Sequence, residues 1–243
     1  MVFKSEPFEY KDSNGDVFEG YFAYPPDASA SKKYPGVVVY HAFGGCTEFE
    51  KEKAQELAKL GYVALAADVY GKGKIGQTKE ENFTICKALV GERETTLKRR
   101  TLATLDAFSK DPRVNTDKLG ATGYCFGGLI CLDLARYGAP LKGVVSFHGT
   151  LLPLPNAEHT PISTAIQVQH GDLDQRINEQ IPAFLDEMRA RKADWHFTTY
   201  SDAEHGFTEP KAHLINHPGV SYNAKADKRS WAAMVNFFAE IFA

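Results

Sequence analysis

The chain has 243 residues, a formal net charge of −3 and a hydrophobic content of 43%. This length suits one large α/β domain, and we expect a single domain over residues 1–243. The weakly acidic balance gives no reason to expect nucleic acid as a partner, and no apolar run is long enough to cross a membrane.

The first residues and the cysteines of the chain indicate the cellular compartment in which we expect the protein. The first residues lack the basic-then-apolar pattern of a signal peptide. The four cysteines are too sparse for a disulfide framework and form no Cys-x-x-Cys pair. We therefore expect a cytoplasmic protein with free thiols.

Strand and helix signals alternate along the chain. An alternating stretch from Val17 to Ala23 predicts an early strand, and the β-branched run that begins at Val37 predicts a strand buried on both faces. The polar, glycine-punctuated segment 71–91 shows no clear strand or helix signal and is expected to form an excursion over the site. A Pro-rich loop is expected through Pro161. Further strands are predicted in segments 62–68, 144–148, 164–169 and 195–200, and helices in segments 48–60, 94–109, 179–191 and 225–242. This alternation favours one doubly wound, mostly parallel sheet with helices on both faces.

Residues 123–128, Gly-Tyr-Cys-Phe-Gly-Gly, follow an apolar strand-like run and precede a helical pattern. This is the strand–turn–helix setting in which the pattern G-x-S/C-x-G forms a nucleophile elbow. Cys125 would occupy the strained turn, and the flanking glycines would prevent a steric collision. The first N–H groups of the following helix would favour the thiolate. The alternative is a buried structural cysteine in a glycine-rich turn.

An acid and a histidine follow this cysteine in the order that such elbows require. Asp174 and His205 each come after a predicted strand, at the end where ligands bind in such sheets. His205 would take the proton of Cys125, and the aspartate would orient the imidazole. Asp174 has the usual G-x-x-D spacing, with Asp172 as the alternative. The predicted catalytic residues are therefore Cys125, Asp174 and His205.

Two amide N–H groups are predicted to stabilise an oxyanion. One belongs to Phe126, and the other belongs to the loop after the Val37 strand, where we select Ala42 and keep Phe43 as the alternative. The eight histidines and four cysteines show no metal-ligand spacing, and no phosphate-binding or dinucleotide-binding loop occurs, so neither a metal nor a cofactor is expected. The side chains expected to line the substrate pocket are His41, Phe43, Tyr70, Tyr124 and Phe207.

These residues resemble the dienelactone hydrolase family, a compact branch of the α/β-hydrolases. The resemblance extends from the Val37 strand to the His205 loop and is most specific at residues 123–128 and at the Asp174 and His205 loops. It implies the α/β-hydrolase fold. It also implies that a Cys-His-Asp triad hydrolyses a small-molecule ester or lactone through a thioester acyl-enzyme, without a cofactor.

One departure from the family pattern concerns the nucleophile. The bacterial members carry a glutamate after the Val37-type strand, where it contacts the nucleophilic thiol, and this chain has His41 at that place. A neutral imidazole does not repel a thiolate, so we predict that Cys125 rests more ionised than in those relatives. Alternatively, His41 is only packed under the site.

A second departure concerns the substrate. The bacterial members hold a substrate carboxylate with arginines, and Glu209 stands where one of these would align. Arg93, Lys72 or Lys74 could replace that arginine. An uncharged ester, lactone or thioester is therefore at least as good a candidate as the anionic dienelactone.

Two other functions use the same residues. The triad could act on another electrophile, such as a thioester or a phosphoryl ester. In a different class, Cys125 could serve a binding or redox-sensing protein, with Cys131 about two turns along the same helix as the resolving thiol. A sensor does not need an aspartate to orient His205, so the hydrolase is the leading hypothesis. The oligomeric state is not predicted.

Overall fold

The computed structural model of the protein describes residues 2–155 and 160–243. Two compact units divide the chain, one ending at Ala121 and the other beginning at Thr122. The boundary falls inside one long strand, β5 (Val114–Tyr124). Part of the loop predicted before Pro161 falls on residues 156–159, which lie outside the described residues.

The first unit combines parallel and antiparallel strands. Its complete strands are β1 (Lys4–Lys11), β2 (Val17–Tyr24), β3 (Tyr34–Tyr40) and β4 (Val63–Ala67). β3 pairs in parallel with β4, whereas β2 is antiparallel to both β1 and β4. All of β4 and the last five residues of β3 are buried, as their uninterrupted apolar runs predict. The sequence pattern does not predict β1, because most of its side chains are exposed and it contains Pro7.

The helices of the first unit include one that the sequence pattern misses. They are α1 (Glu48–Lys59), α2 (Lys79–Gly91) and α3 (Lys98–Ser109), and a π-helical turn (Arg93–Leu97) precedes α3. No helix was predicted in the polar segment 71–91, but the Thr78 hydroxyl accepts the Glu81 N–H and starts α2 there. α2 buries only Asn82 and Leu89, so it carries no apolar stripe to mark it.

The second unit continues the alternation of strands and helices. Its further strands β6 (Gly143–Phe147), β7 (Ala165–Gly171) and β8 (Trp195–Tyr200) pair in parallel, β6 with β7 and β7 with β8. Its helices are α4 (Phe126–Arg136), α5 (Gln175–Asn178), α6 (Ile181–Ala190) and α7 (Ala224–Ile241), with a 3-10 turn at Ala212–Ile215. Within the described ranges, no helix has both the length and the apolar character to cross a membrane.

The strands of the first unit pair in the order β1-β2-β4-β3, and those of the second unit pair in the order β6-β7-β8. The sheet is mostly parallel and its strands alternate with helices, which confirms the predicted α/β fold class. In such sheets, ligands bind at the carboxyl ends of the strands. In the second unit these ends lead to Cys125 after β5, to Asp174 after β7 and to His205 after β8.

Candidate active site

The turn between β5 and α4 holds Cys125 in a strained backbone conformation. Its φ angle is 53° and its ψ angle is −107°, a region that residues other than glycine rarely adopt. Gly123 makes this turn possible, because a Cβ atom there would lie 2.2 Å from the carbonyl oxygen of Gly127. The steric role predicted for this glycine is confirmed.

Backbone groups hold Cys125 at the start of α4. Its N–H donates to the carbonyl oxygen of Phe147 at 2.9 Å, which ties the elbow to the end of β6. The N–H of Phe126 donates to the sulfur of Cys125. Every residue of α4 is buried, so bulk water screens the dipole of this helix only weakly. The local structure therefore favours negative charge on the sulfur.

His205 connects Cys125 to Asp174. Its Nε2 atom lies 3.1 Å from Sγ of Cys125, and its Nδ1 atom lies 2.6 Å from Oδ2 of Asp174. The carboxylate accepts the Nδ1–H, which leaves Nε2 to exchange a proton with the thiol. The alternative acid, Asp172, is exposed, whereas Asp174 is buried. The three residues chosen from the sequence form one connected chain of contacts.

A close approach of two loops brings the acid to the histidine. Gly171 ends β7, and a Cβ atom there would lie 2.6 Å from the carbonyl oxygen of Ala203 and 2.7 Å from that of Glu204. The N–H of Leu173 donates to the same Ala203 oxygen at 2.9 Å. A glycine at the end of β7 therefore lets the loop of Asp174 lie against the loop of His205.

Hydrogen bonds on both sides fix the backbone of His205. Its N–H donates to the carbonyl oxygen of Gly219 at 3.1 Å, and its carbonyl oxygen accepts the N–H of Ser221 at 3.2 Å. The next turn is held in the same way, since the N–H of Asn223 donates to the carbonyl oxygen of Phe207 at 3.0 Å. The imidazole is therefore carried on a preorganised segment.

Burial and neighbouring charges shift the pKa values of Cys125 and His205 in opposite directions. Burial alone would raise the pKa of the thiol, but the charge and hydrogen bond of His205, with the Phe126 amide, hold the pKa of Cys125 below its usual value. Burial also opposes the imidazolium, yet the charge of Cys125 and the hydrogen bond to Asp174 raise the pKa of His205 well above its usual value. Both shifts favour a thiolate–imidazolium pair.

Comparison with known proteins identifies the family. The sequence profile of the dienelactone hydrolase family matches residues 18–242, nearly the whole chain. The chain belongs to this family. An uncharacterised protein of Caenorhabditis elegans is 43% identical over 161 residues, which are 64% of this chain and 100% of that protein. A candidate carboxymethylenebutenolidase of Yersinia pestis is 28% identical, with 94% of this chain and 85% of that protein covered.

Solved structures agree with the sequence comparison. A dienelactone hydrolase-like promiscuous phosphotriesterase from metagenomic libraries has a TM-score of 0.93 and 38% identity, with 100% of both chains covered. The family membership makes this chain a hydrolase of carboxylic esters or lactones. It also confirms the expected α/β-hydrolase fold.

His41 is the residue predicted to stand in place of the family's glutamate. Its side chain is buried, its Nδ1–H donates to the carbonyl oxygen of Ala42 at 2.6 Å, and its Nε2 accepts the N–H of Val69 at 3.3 Å. Burial lowers the pKa of His41, so the imidazole is neutral at pH 7. Its effect on the ionisation of Cys125 stays a prediction.

The loop that carries the predicted second oxyanion donor is braced by a buried acid. The N–H of Ala42 donates to Oε1 of Glu50 at 3.3 Å, and Oε2 of Glu50 accepts the N–H and the hydroxyl of Thr47 at 2.8 and 2.7 Å. Burial raises the pKa of Glu50 to about 7. Sequence reasoning did not single out Glu50, although the pattern Thr-x-x-Glu at 47–50 is a capping-box signal. Ala42 as an oxyanion donor remains a prediction.

The predicted pocket residues fall into both units. In the first unit, the Tyr70 hydroxyl donates to the carbonyl oxygen of Phe43 at 2.7 Å, and the Phe43 ring stacks on Phe83. In the second unit, Tyr124 and Phe207 are buried, with 1% and 0% of their surface exposed. The assignment of all these residues to a substrate pocket remains a prediction.

His148 is a neighbour of His205 that sequence reasoning did not single out. It follows β6 with a φ angle of 40°, it is buried, and its ring centroid lies 5.1 Å from that of His205. Its Nε2 atom lies 2.9 Å from Oγ1 of Thr208. Its position directly after a strand that leads toward the site was the available sequence signal.

Two of the three basic residues suggested to replace the family's arginine are already paired or buried. Lys72, one of the suggested replacements, already pairs with Glu9 at 2.7 Å and Glu19 at 2.8 Å. Arg93, another, is buried. Glu209 is half-buried in the turn that follows His205.

Cys131 is the resolving thiol suggested for the redox-sensor alternative. This residue lies inside α4 with no exposed surface, and burial raises the pKa of its thiol. A protonated and inaccessible thiol is a poor resolving group. In the part of the chain that the structure describes, no group of three His, Cys, Asp or Glu side chains could hold a metal ion.

Proposed function

We propose that this member of the dienelactone hydrolase family cleaves its ester or lactone with Cys125, His205 and Asp174, through a thioester acyl-enzyme. The observation that carries the proposal is the pair of contacts at His205, 3.1 Å to the sulfur and 2.6 Å to the carboxylate. A base held between a nucleophile and an acid is the arrangement that covalent acyl transfer requires.

The first half-reaction forms the acyl-enzyme. The Cys125 thiolate attacks the carbonyl carbon, and the carbonyl oxygen takes up the negative charge. The N–H of Phe126 would stabilise this oxyanion, together with an N–H of the loop after β3. That second donor would be Ala42, once its N–H leaves Glu50, or the alternative Phe43. The bond to the leaving alkoxide then breaks, and Nε2–H of His205 gives the alkoxide its proton. The products are an alcohol, or the opened ring of a lactone, a thioester at Cys125 and a neutral His205.

The second half-reaction releases the acid. Neutral His205 takes a proton from water, and the resulting hydroxide adds to the thioester carbon. The C–S bond then breaks, so the carboxylic acid leaves and the sulfur returns as a thiolate beside imidazolium. Asp174 accepts the Nδ1–H of His205 and stabilises the imidazolium in both half-reactions.

A stopped-flow experiment with p-nitrophenyl acetate and butyrate tests the covalent step. We expect the wild type to release a burst of p-nitrophenolate equal to the enzyme concentration if deacylation is slower than acylation. The variant Cys125→Ser should lose the burst and turn over at least about 100-fold more slowly. Cys86→Ser, in α2, is the control and should behave like the wild type. A burst of wild-type size in Cys125→Ser would overturn the proposal.

Glu209 supports an uncharged substrate. Glu209 lies in the turn after His205, and its Oε1 accepts the N–H of Lys211 at 2.9 Å. A carboxylate in this turn would disfavour an anionic acyl group by repulsion of like charges. We expect kcat/KM for a neutral enol lactone to exceed that for its carboxylate-bearing analogue. The variant Glu209→Gln should reduce this preference mainly through the KM of the anion. A wild-type preference for the anionic lactone would refute the assignment.

Phosphotriester hydrolysis is a second candidate activity. It is favoured by the full-length similarity, at 38% identity, to a protein whose name describes a promiscuous phosphotriesterase. The Cys125 thiolate would attack phosphorus and displace the phenolate, and water would then cleave the S–P bond. Release of p-nitrophenolate from paraoxon by the wild type, and its loss in Cys125→Ser, is the expected result. Wild-type protein that neither turns over paraoxon nor is modified by it would exclude this activity.

A further inference from the structure

We propose that His148 is a positioning residue for His205 and acts through its hydrogen bond to Thr208. The inference rests on the proposed function, since it concerns the base of the same site. His148 would join the end of β6, to which the nucleophile is attached, to the loop that carries the base. The distance between Cys125 and His205 would then depend on this connection.

The backbone of His148 belongs to the nucleophile side of the site. Its N–H donates to the carbonyl oxygen of Gln169 at 2.8 Å, which fixes it to β7. The residue before it, Phe147, accepts the N–H of Cys125 at 2.9 Å. A shift of His148 would therefore be transmitted to the nucleophile elbow through one peptide unit.

The side chain of His148 reaches the base side of the site. Its Nε2 atom lies 2.9 Å from Oγ1 of Thr208, three residues after His205, and both partners are buried. Its ring meets His205 edge to face, with centroids 5.1 Å apart, and meets Phe207 in the same way at 5.3 Å. His148 thus contacts three of the four residues 205–208.

A histidine at this position is energetically unfavourable, which argues against a role in packing alone. Its φ angle of 40° lies in the left-handed region, which is unfavourable for residues other than glycine. Its Nδ1 atom is buried and has no hydrogen-bond partner among the described residues. A phenylalanine would fill the same space without burying nitrogen atoms. The hydrogen bond to Thr208 is what an apolar ring would lose.

The charges around His148 are compatible with a neutral positioning group. Burial, together with the charges of His205 and His170, lowers the pKa of His148 far below its usual value. The other titratable groups that act on His205 are Cys125 and Asp174. A neutral ring against His205 orients the imidazolium without repelling it.

A matched pair of variants at Thr208 tests the connection with little change in volume. Thr208→Val removes the hydroxyl, and Thr208→Ser keeps it. The first readout is the pH dependence of alkylation of Cys125 by iodoacetamide, followed by mass spectrometry of the Cys125 peptide without substrate. The second is kcat and KM for p-nitrophenyl acetate, and the third is the thermal unfolding midpoint.

We expect Thr208→Val to slow alkylation below neutral pH by about tenfold and to lower kcat to a similar extent with little change in KM. The acid limb of its alkylation profile should move to higher pH. Thr208→Ser should stay within about twofold of the wild type. In His148→Phe, the further change Thr208→Val should have little effect, because the hydrogen bond is already lost.

The results separate the two proposals. A Thr208→Val variant with a lower unfolding midpoint but a wild-type pH profile and kcat would overturn the positioning role. Additive effects of His148→Phe and Thr208→Val on kcat would overturn it as well. If His148→Phe does not fold, the comparison of Thr208→Val with Thr208→Ser still tests the contact. If Cys125→Ser keeps the wild-type burst and turnover, the proposed triad itself fails. A positioning failure alone leaves Cys125→Ser inactive and Thr208→Val normal.

Discussion

Nε2 of His205 lies 3.1 Å from Sγ of Cys125, although 80 positions separate the two residues in the chain. The contact depends on the ends of three strands, which carry the nucleophile, the acid and the base on separate loops. Each loop is fixed by its own backbone hydrogen bonds, so the site is built before any substrate arrives. Changes to individual loops should therefore have separable effects.

Replacing Asp174 by asparagine should impair activity far more than the same change at Asp172. The amide side chain of Asp174→Asn would no longer hold the Nδ1–H tautomer of His205, and we expect kcat to fall by roughly 10³- to 10⁴-fold. Asp174 has no side-chain capping bond to α5, so the helix should start normally in the variant. Asp172→Asn changes the exposed acid two residues away and should leave kcat unchanged. Steady-state kinetics on both variants decides the assignment, and equal losses would contradict it.

The pH dependence of activity should follow the population of the ion pair between the Cys125 thiolate and the His205 imidazolium. The pKa of Cys125 is lowered and that of His205 is raised, so the thiolate–imidazolium form exists between these two values. As pH rises, kcat/KM should increase at the lowered pKa of the thiol, then stay level, and fall at the raised pKa of the imidazole. Iodoacetamide alkylation should show the same acid limb. An acid limb with a midpoint near the ordinary thiol pKa of about 8.5 would contradict the lowered pKa of Cys125 and the predicted effect of His41.

Adding a methyl group at Gly171 should separate the acid from the base. The new Cβ atom would lie 2.6 and 2.7 Å from two backbone oxygens of the His205 loop, so this loop has to move. We expect Gly171→Ala to lose about 1–3 kcal/mol in the free energy of unfolding and at least about tenfold in kcat. Gly91→Ala is the control, because a Cβ atom there meets no atom within 4 Å. Normal kcat in Gly171→Ala would show that the close approach is unimportant.

Glu50 should make the free energy of unfolding depend on pH. Burial raises its pKa to about 7 from an ordinary 4.5, so the folded state favours the protonated acid. The stabilisation that this shift gives the folded state is therefore complete below about pH 4.5 and is lost as pH rises to about 7. The free energy of unfolding should fall by about 3 kcal/mol over this range. In Glu50→Gln this dependence should disappear. Urea unfolding at several pH values measures the difference between wild type and variant, and parallel curves would contradict the shift.

The parts of the site that local motifs encode were predictable from the sequence. The elbow at residues 123–128 needs glycine for steric reasons, and chain order with G-x-x-D spacing selected Asp174 and His205, which the structure brings together. The contact of His148 with Thr208 was not predictable, because no motif links these two residues. The place of His148 directly after a strand was the only signal, and neither the elbow nor the triad pattern uses it. β1 and α2 were missed because neither buries a regular apolar face.

The burial of Cys131 also affects how the enzyme would survive oxidants. A sulfenic acid formed at Cys125 is rescued most simply by a neighbouring thiol, which captures it as a disulfide before peroxide oxidises it further. The second unit contains one other cysteine, and that thiol is enclosed in α4. Repair of oxidised Cys125 therefore depends on a thiol from outside this unit, such as a small cellular thiol. The recovery of activity after peroxide would then be set by the reducing capacity of the surroundings.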